Sequence, residues 1–119
     1  MARILLLDDN LDLLTLVVDM LEMDDHQVTI AINGKEGLTK LDQATTIPDL
    51  ILTDIKMPEM GGWEFLATIK QNPRFAAIPC VVFSGDEFDH EVAFERGAVA
   101  CLVKPLRYKQ VAQTIAQFV

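Results

Sequence analysis

The amino-acid sequence predicts an α/β protein with a doubly wound parallel sheet that helices cover on both faces. Three observations support this prediction. Short apolar runs rich in Val, Ile and Leu recur, amphipathic stretches separate them, and 119 residues are the size of one domain. Because strands that are apolar on both faces need cover on both sides, the connections are expected to be right-handed helical crossovers.

Five strands are predicted from the apolar runs, each bounded by turn residues: 4–7, 28–31, 50–53, 80–83 and 99–103. Between them, helical spacing predicts a first helix with an apolar side made of Leu11, Leu14, Val18 and Leu21. Asn33 followed by Glu36 is typical of a helix cap and predicts the second helix, with Leu38 and Leu41 on its apolar side.

Three further helices complete the predicted pattern of five βα units. The third begins at Gly61-Gly62 and ends near Asn72-Pro73, and a short fourth covers residues 88–96 and ends at Gly97. The last carries one apolar stripe, formed by Val111, Ile115 and Val119. We expect a single domain over residues 1–119, without an output domain.

Composition excludes several classes of protein. Eighteen acidic residues against ten Lys and Arg give a net charge of −8, which disfavours nucleic acid as a partner. The longest apolar run has six residues, 98–103, whereas a membrane helix needs about 20. The amino terminus lacks the apolar stretch of a signal peptide, so we expect a cytoplasmic protein with no membrane association, in which Cys80 and Cys101 are buried free thiols.

Polar residues stand where the predicted strands end. Since the carboxyl ends of parallel strands share one edge of a sheet, we expect them to line one crevice. They are Asp8 and Asp9 after the first strand, Asp54 after the third, Ser84 after the fourth and Lys104 after the fifth. Taken singly, Asp8 or Asp9 could be a helix cap before Leu11, and Asp54 a turn residue before Met57-Pro58.

Taken together, these residues favour phosphoryl transfer. Three crowded carboxylates repel each other unless a cation or raised pKa values relieve them, and Mg²⁺ suits such an oxygen-rich set. A carboxylate can attack phosphorus and become an aspartyl phosphate. Asp54 is the better candidate because it stands alone on its strand, whereas Asp8 and Asp9 share a turn. Lys104 would supply a complementary charge, and Ser84 a hydrogen bond.

With these motifs in order, the chain resembles the receiver domain of two-component response regulators over essentially its whole length. The resemblance is carried by Asp8-Asp9, Asp54-Ile55-Lys56-Met57-Pro58, Gly61-Gly62, Ser84-Gly85 and Lys104-Pro105. It implies a flavodoxin-like fold with strand order 2-1-3-4-5.

The resemblance also implies roles for the site residues. Asp54 would be the phosphoacceptor and would share a Mg²⁺ ion, or Mn²⁺ as its substitute, with Asp9 and the backbone carbonyl of Lys56, while Asp8 would act mainly through water. Ser84 and Lys104 would contact the phosphoryl group. The bond from Lys104 to Pro105 would be cis.

The partners implied are a sensor histidine kinase or a histidine phosphotransfer protein as donor, and a downstream protein or output domain as receiver of the signal. The chain would be a signalling switch whose own chemistry is limited to self-phosphorylation and autodephosphorylation. Many family members also form dimers through the last two helices and the fifth strand.

The sequence departs from the family pattern at Cys101, where an aromatic residue is common. Cysteine is too small to report the state by the same rotation, so we expect the switch to act through residues 84–89 and the fourth helix. A redox role would need a lowered pKa, and a small core residue is the simpler interpretation of Cys101. Lys56 and Asp86 are expected to form an ion pair that tunes hydrolysis, or else to be two exposed charges of little effect.

Other functions remain as alternatives. The chain could be a receiver domain excised from a hybrid kinase or larger regulator. A metal-dependent phosphohydrolase would use a similar aspartate but normally needs a cap domain, for which 119 residues leave no room. A flavin-binding electron carrier shares the fold, yet its first loop needs Ser, Thr or Gly amides where this chain has Asp8-Asp9. A receiver-like scaffold that is never phosphorylated is disfavoured, because this chain has a charged residue at every charged position of the site.

Overall fold

Five strands alternate with five helices in the computed structural model, which describes residues 1–85 and 90–119. In chain order the elements are β1 Arg3–Leu7, α1 Leu11–Met23, β2 Gln27–Ala31, α2 Gly34–Gln43, β3 Leu50–Asp54, α3 Gly62–Lys70, β4 Cys80–Ser84, α4 His90–Glu95, β5 Ala100–Val103 and α5 Tyr108–Phe118. The predicted βα repeat is confirmed.

All five strands are parallel, in the order β2-β1-β3-β4-β5, so the flavodoxin-like fold expected from the resemblance is confirmed. The register places the ends of the central strands side by side. Leu7 lies opposite Thr53, Asp54 opposite Phe83, and Ser84 opposite Val103. Residues that follow these positions therefore meet at one edge of the sheet.

Two apolar cores flank the sheet, as the doubly wound prediction requires. One face packs α1 and α5, with Leu14, Val17 and Ile115 buried against the strands. The opposite face packs α2, α3 and α4, with Phe65 and Ala93 among its buried residues. Each fully buried large apolar side chain contributes about 1.5–3 kcal/mol, so the two cores fix the positions of the strand ends.

The predicted apolar side of the first helix is partly wrong. Leu11 is 66% exposed, and the buried residues are Leu14, Val17 and Leu21. The helix begins at Leu11, after the cap Asn10, and the buried stripe at i, i+3 and i+7 leaves Leu11 outside. Val18 lies at the border of the core and is half-buried.

Two other predictions about the core also fail. Val119 lies beyond the end of α5 and is 52% exposed, so the last apolar stripe consists of Val111 and Ile115. Strand β2 has only β1 as a neighbour in the sheet and is largely exposed, so it is not apolar on both faces. Both cases concern the periphery, where less of the fold covers a side chain.

The fourth helix is short, as expected. Its described part is His90–Glu95, and the predicted start at residue 88 lies outside the described residues. Gly97 ends it with φ +103, and the amide of Ala98 donates to the carbonyl of Ala93 at 3.0 Å. Strand β5 begins at residue 100, one residue later than predicted.

None of the helices in the described ranges is both long enough and apolar enough to span a bilayer.

Candidate functional site

The site lies at the carboxyl edge of the sheet, where the structure brings together residues from three strand ends. Lys104 Nζ lies 3.1 Å from Asp8 Oδ2 and 3.4 Å from Asp54 Oδ2. One carboxylate oxygen from each of Asp8, Asp9 and Asp54 lies within 4.8 Å of the others. Three acidic groups and one ammonium therefore share a volume a few ångströms across.

Asp8 is positioned by the backbone on both of its sides. Its amide donates to the carbonyl of Ala31 at 3.1 Å, and its Oδ1 accepts the amide of Asn10 at 2.9 Å. Asn10 caps α1 by accepting the amide of Leu13, so neither Asp8 nor Asp9 is the cap of this helix. Asp8 is fully buried. Among the described residues, its Oδ2 accepts no hydrogen bond of good geometry, and its one close polar contact is the ion pair with Lys104.

Asp54 is the last residue of β3 and is 5% exposed. Its Oδ1 accepts the amide of Ile55 at 2.8 Å, which turns Oδ2 toward Lys104. The following segment, residues 55–61, is called the acceptor loop here. Its base is closed by the amide of Gly62, which donates to the carbonyl of Ile55 at 2.8 Å.

Gly62 is required at this position by close packing. A Cβ atom there would lie 2.2 Å from the carbonyl oxygen of Asp54. The sequence indicates the Gly61-Gly62 pair as the start of a helix and as part of the family pattern, but it does not show that Gly62 packs on the backbone of Asp54. Thr53 was also missed; its buried hydroxyl donates to the carbonyl of Asp54 at 2.9 Å.

Ser84 and Lys104 complete the edge. Ser84 is the last residue of β4 and is buried, and its carbonyl accepts the amide of Lys104 at 2.7 Å. The ammonium of Lys104 lies 5.6 Å from the ring centroid of Phe83, within the range of a cation–π contact. The bond from Lys104 to Pro105 is cis, as expected.

Burial and the interactions between the charged groups shift the pKa values of the site residues. Burial raises the pKa of Asp8, and burial together with the charge of Asp8 raises the pKa of Asp54. For Lys104, burial lowers the pKa, but the contacts with Asp8 and Asp54 outweigh it and the net pKa is raised. One ammonium thus faces an excess of negative charge, a condition that a divalent cation would relieve.

The donor set fits a hard divalent cation. All three groups offer oxygen, Asp9 is exposed to solvent while Asp8 and Asp54 are buried, and Mg²⁺ prefers a few carboxylates together with retained waters. Lys56, whose carbonyl is a predicted ligand, lies exposed in the acceptor loop.

The residues expected to tune the switch have separate locations. Cys101 is half-buried in β5 instead of buried as predicted, because it lies at the border of the core that contains α3 and α4, and burial raises the pKa of its thiol. A raised pKa disfavours the thiolate and supports the interpretation of Cys101 as a small core residue. Cys80 is buried, as predicted, with a pKa raised to about 11 by burial. Asp86 lies outside the described residues, so its ion pair with Lys56 stays a prediction.

Comparisons with known proteins agree with this geometry. The chain is 32% identical over 117 residues to a transcriptional regulatory protein CpxR homolog of Haemophilus influenzae, a match that covers 97% of this chain. It spans about half of that relative, 49% of its length.

Solved structures with the same fold include two receiver proteins. The chemotaxis protein CheY4 of Vibrio cholerae superposes with a TM-score of 0.90 at 26% identity, over 100% of this chain and 99% of that one. The receiver domain of the sensor histidine kinase PA1611 of Pseudomonas aeruginosa, which carries a magnesium ion in its active site cleft, has a TM-score of 0.86 at 21% identity, over 98% and 96% of the two chains. At that identity the second likeness concerns the fold alone.

The family described as response regulator receiver domain matches residues 4–116, nearly the whole chain. Together with the strand order and the relatives, this match shows that the chain belongs to the receiver domain family of two-component response regulators.

Proposed function

We propose that this receiver domain is a phosphoacceptor switch in which Asp54 takes a phosphoryl group from a phosphohistidine. The donor would be a sensor histidine kinase or a histidine phosphotransfer protein. The observation that carries the proposal is the position of Asp54 Oδ2, 3.4 Å from the ammonium of Lys104 and in one cluster with the oxygens of Asp8 and Asp9. A nucleophile, a positive charge and a cation-binding set are thereby within reach of one phosphoryl group.

In the transfer, Asp54 Oδ2 attacks phosphorus while the phosphorus–nitrogen bond of the donor breaks. The electron pair of that bond stays on the imidazole nitrogen, which takes up a proton. The ammonium of Lys104 neutralises charge on the transferred oxygens, and the hydroxyl of Ser84 donates a hydrogen bond to one of them. Oδ1 keeps its bond to the amide of Ile55, which holds the carboxylate during the attack.

A magnesium ion, or manganese in its place, would be held by Asp9, Asp54 and the carbonyl of Lys56, with Asp8 acting mainly through water. When bound, the ion neutralises charge on the phosphoryl oxygens. The buried Oδ2 of Asp8 already pairs with the ammonium of Lys104 at 3.1 Å, and the same ammonium lies 3.4 Å from Asp54, so the negative charge left over in the cluster supports a further cation nearby.

The switch itself depends on several contacts together. Moving a two-state equilibrium from 1:99 to 99:1 takes about 5.5 kcal/mol of differential binding. A charge-assisted hydrogen bond contributes about 1.5–3 kcal/mol, so Ser84, Lys104 and the metal are needed jointly. With Cys101 in place of an aromatic residue, we propose that the change passes through residues 84–89 and α4. Structures with and without the phosphoryl group that superpose there would contradict this route.

The signal would be read by a downstream protein or an output domain. Exposed apolar side chains on α4, β5 and α5 support a contact surface there: Phe94 is 51%, Val103 42% and Tyr108 40% exposed. The same surface would serve a homodimer through the last two helices. The cytoplasmic location stays a prediction.

The test is intact-mass analysis after treatment with acetyl phosphate and Mg²⁺. We expect the wild-type chain to gain one phosphoryl group, and the Asp54→Asn variant and a sample treated with EDTA to gain none. A chain that stays unmodified with Mg²⁺, or a labelled Asp54→Asn variant, would contradict the proposal. Rapid multiple turnover of a phosphate ester, instead of one stable label, would favour a phosphohydrolase.

A further inference from the structure

The turn between β2 and α2 contacts the tip of the acceptor loop, 26 residues further along the chain. The side-chain amide of Asn33 donates from Nδ2 to Glu59 Oε2 at 3.1 Å. The backbone amide of Gly34 donates to the carbonyl of Met60 at 2.8 Å. Strands β2 and β3 lie on either side of β1, so this pair of bonds joins the two segments that flank the carboxyl end of β1.

Asn33 has two tasks at once. Its Oδ1 accepts the amide of Glu36 at 2.9 Å and caps α2, while its Nδ2 holds Glu59. Asp and Ser cap a helix about as well as Asn does, but neither offers both an acceptor and an amide donor. Asn33 is 6% exposed, whereas Glu59 is exposed, so the bond between them is partly buried. The demands of the helix alone therefore do not explain an amide at this position.

The loop needs such support because its backbone is strained at Glu59. This residue has φ 65, in the left-handed region, which costs a residue with a side chain about 1–2 kcal/mol. Gly34 packs directly on the next residue, since a Cβ atom at Gly34 would lie 2.5 Å from Cγ of Met60. The tip of the loop is therefore held from outside, by the β2–α2 turn.

We propose that Asn33 is a positioning residue for metal binding: through Glu59 it holds the acceptor loop so that the Lys56 carbonyl is in place before the cation arrives. This inference rests on the proposed function, in which that carbonyl is a ligand. Lys56 lies between two fixed points, the base closed by Gly62 and Ile55 and the tip held by Asn33. A ligand held in advance loses less conformational entropy on binding, so the cation binds more tightly.

The wild type, two single variants and their double variant separate the two tasks of Asn33. In Asn33→Asp the new carboxylate can still cap α2, but it repels Glu59 instead of donating to it. Glu59→Gln keeps an oxygen that accepts from Asn33 and serves as the matched control. In the double variant the side-chain amide at position 59 can donate to the carboxylate at position 33, which restores the bond in the opposite direction. Asn33→Ser, an uncharged cap that lacks the side-chain amide and has only a shorter hydroxyl, is a further variant in case the repulsion prevents folding.

The two bonds that hold the tip of the acceptor loop, Asn33 to Glu59 and Gly34 to Met60, are called the clamp here. Amide hydrogen exchange, followed by NMR on the metal-free chain, measures the stability of the clamp directly. The amide of Gly34 reports the contact with the loop, and the amide of Glu36 reports the helix cap. We expect Asn33→Asp to accelerate exchange at Gly34 about tenfold relative to Glu36, since the loss of one hydrogen bond to a charged group is of that order. The double variant and Glu59→Gln should exchange like the wild type.

Magnesium titration, followed by the fluorescence of Trp63 or by calorimetry, then tests the consequence. Asn33→Asp and Asn33→Ser should bind Mg²⁺ several-fold more weakly than wild type, and the double variant should recover. Unchanged exchange at Gly34 in both single variants at position 33 would overturn the inference, and so would unchanged Mg²⁺ affinity. A wild-type chain that neither binds Mg²⁺ nor is phosphorylated would instead overturn the proposed function, while loss of protection at Gly34 would still support the clamp.

Discussion

The glycines that follow the central strands β3 and β4 differ in how closely the described residues pack around them. After β3, a Cβ atom at Gly62 would lie 2.2 Å from a backbone oxygen, and one at Gly61 would lie 2.8 Å from another. After β4, a Cβ atom at Gly85 would meet no atom of the described residues within 4 Å. Gly61 and Gly62, beside the proposed phosphoacceptor, are therefore closely packed, whereas among the described residues no atom lies that close to Gly85.

The largest expected effect on stability comes from adding a methyl group at each of these glycines. Gly62→Ala should lower the free energy of unfolding by about 3 kcal/mol, because the added methyl group meets backbone that cannot rotate away. Gly85→Ala should change it by less than about 1 kcal/mol. Urea denaturation of both variants measures the difference, and the rate of labelling by acetyl phosphate should fall only for Gly62→Ala. Equal destabilisation of the two variants would contradict the difference in packing between Gly62 and Gly85.

A second prediction concerns the excess negative charge beside the acceptor loop. The pKa of Asp54 is raised in the folded chain, which means that the fold favours the protonated carboxyl group. The stability that this protonation contributes is fully present below pH 3.8 and is lost as the pH rises through the pKa of the folded state. Asp54→Asn should therefore be more stable than wild type by about 1 kcal/mol at pH 7 in EDTA. The difference should shrink as the pH falls toward 3.8.

Urea denaturation in EDTA from pH 4 to pH 7.5 measures this difference. Asp42→Asn, which removes an exposed carboxylate from α2, is the matched control and should show little change at any of these pH values. A stability difference at Asp54 that is independent of pH would mean that ionisation of this carboxylate is not its origin.

The smallest expected effect concerns a bridge between the segments that follow β3 and β4. If Lys56 pairs with Asp86 and impedes the attacking water, Lys56→Ala should shorten the half-life of the phosphoryl group about two- to fivefold, as expected for an exposed ion pair. Loss of label over time, followed by intact mass, measures the half-life. Lys35→Ala, at an exposed lysine in α2, is the control. An unchanged half-life in Lys56→Ala would reject the bridge.

The fold, and the meeting of Asp8, Asp9, Asp54 and Lys104 at one edge of the sheet, could be predicted because their signals are local. Each polar residue of the site follows an apolar run, and parallel strands carry their ends to one edge. Details that depend on tertiary packing were not predictable. The exposure of Leu11 and Val119 depends on where each helix begins and ends, and the periodicity of the sequence does not define these limits sharply.

The clamp on the acceptor loop is the clearest case of a feature that sequence reasoning missed. The sequence predicts a helix cap at Asn33 and Glu36, and that bond is present. The second bond of Asn33, to Glu59, joins residues whose separation in the chain carries no periodic signal. The close approach of Gly62 to Asp54 was missed for the same reason, since only coordinates show which atoms a missing side chain would touch.

The unequal burial of the two cysteines gives this chain an intrinsic attachment point for a reporter group. Cys80 is fully buried with a pKa raised to about 11, whereas Cys101 is half-buried on β5, the strand beside β4. A small fluorinated thiol reagent would therefore modify Cys101 first, without any engineered residue. The fluorine resonance of that label would then follow events on strand β5 in solution, at the position where relatives of this domain commonly carry an aromatic ring.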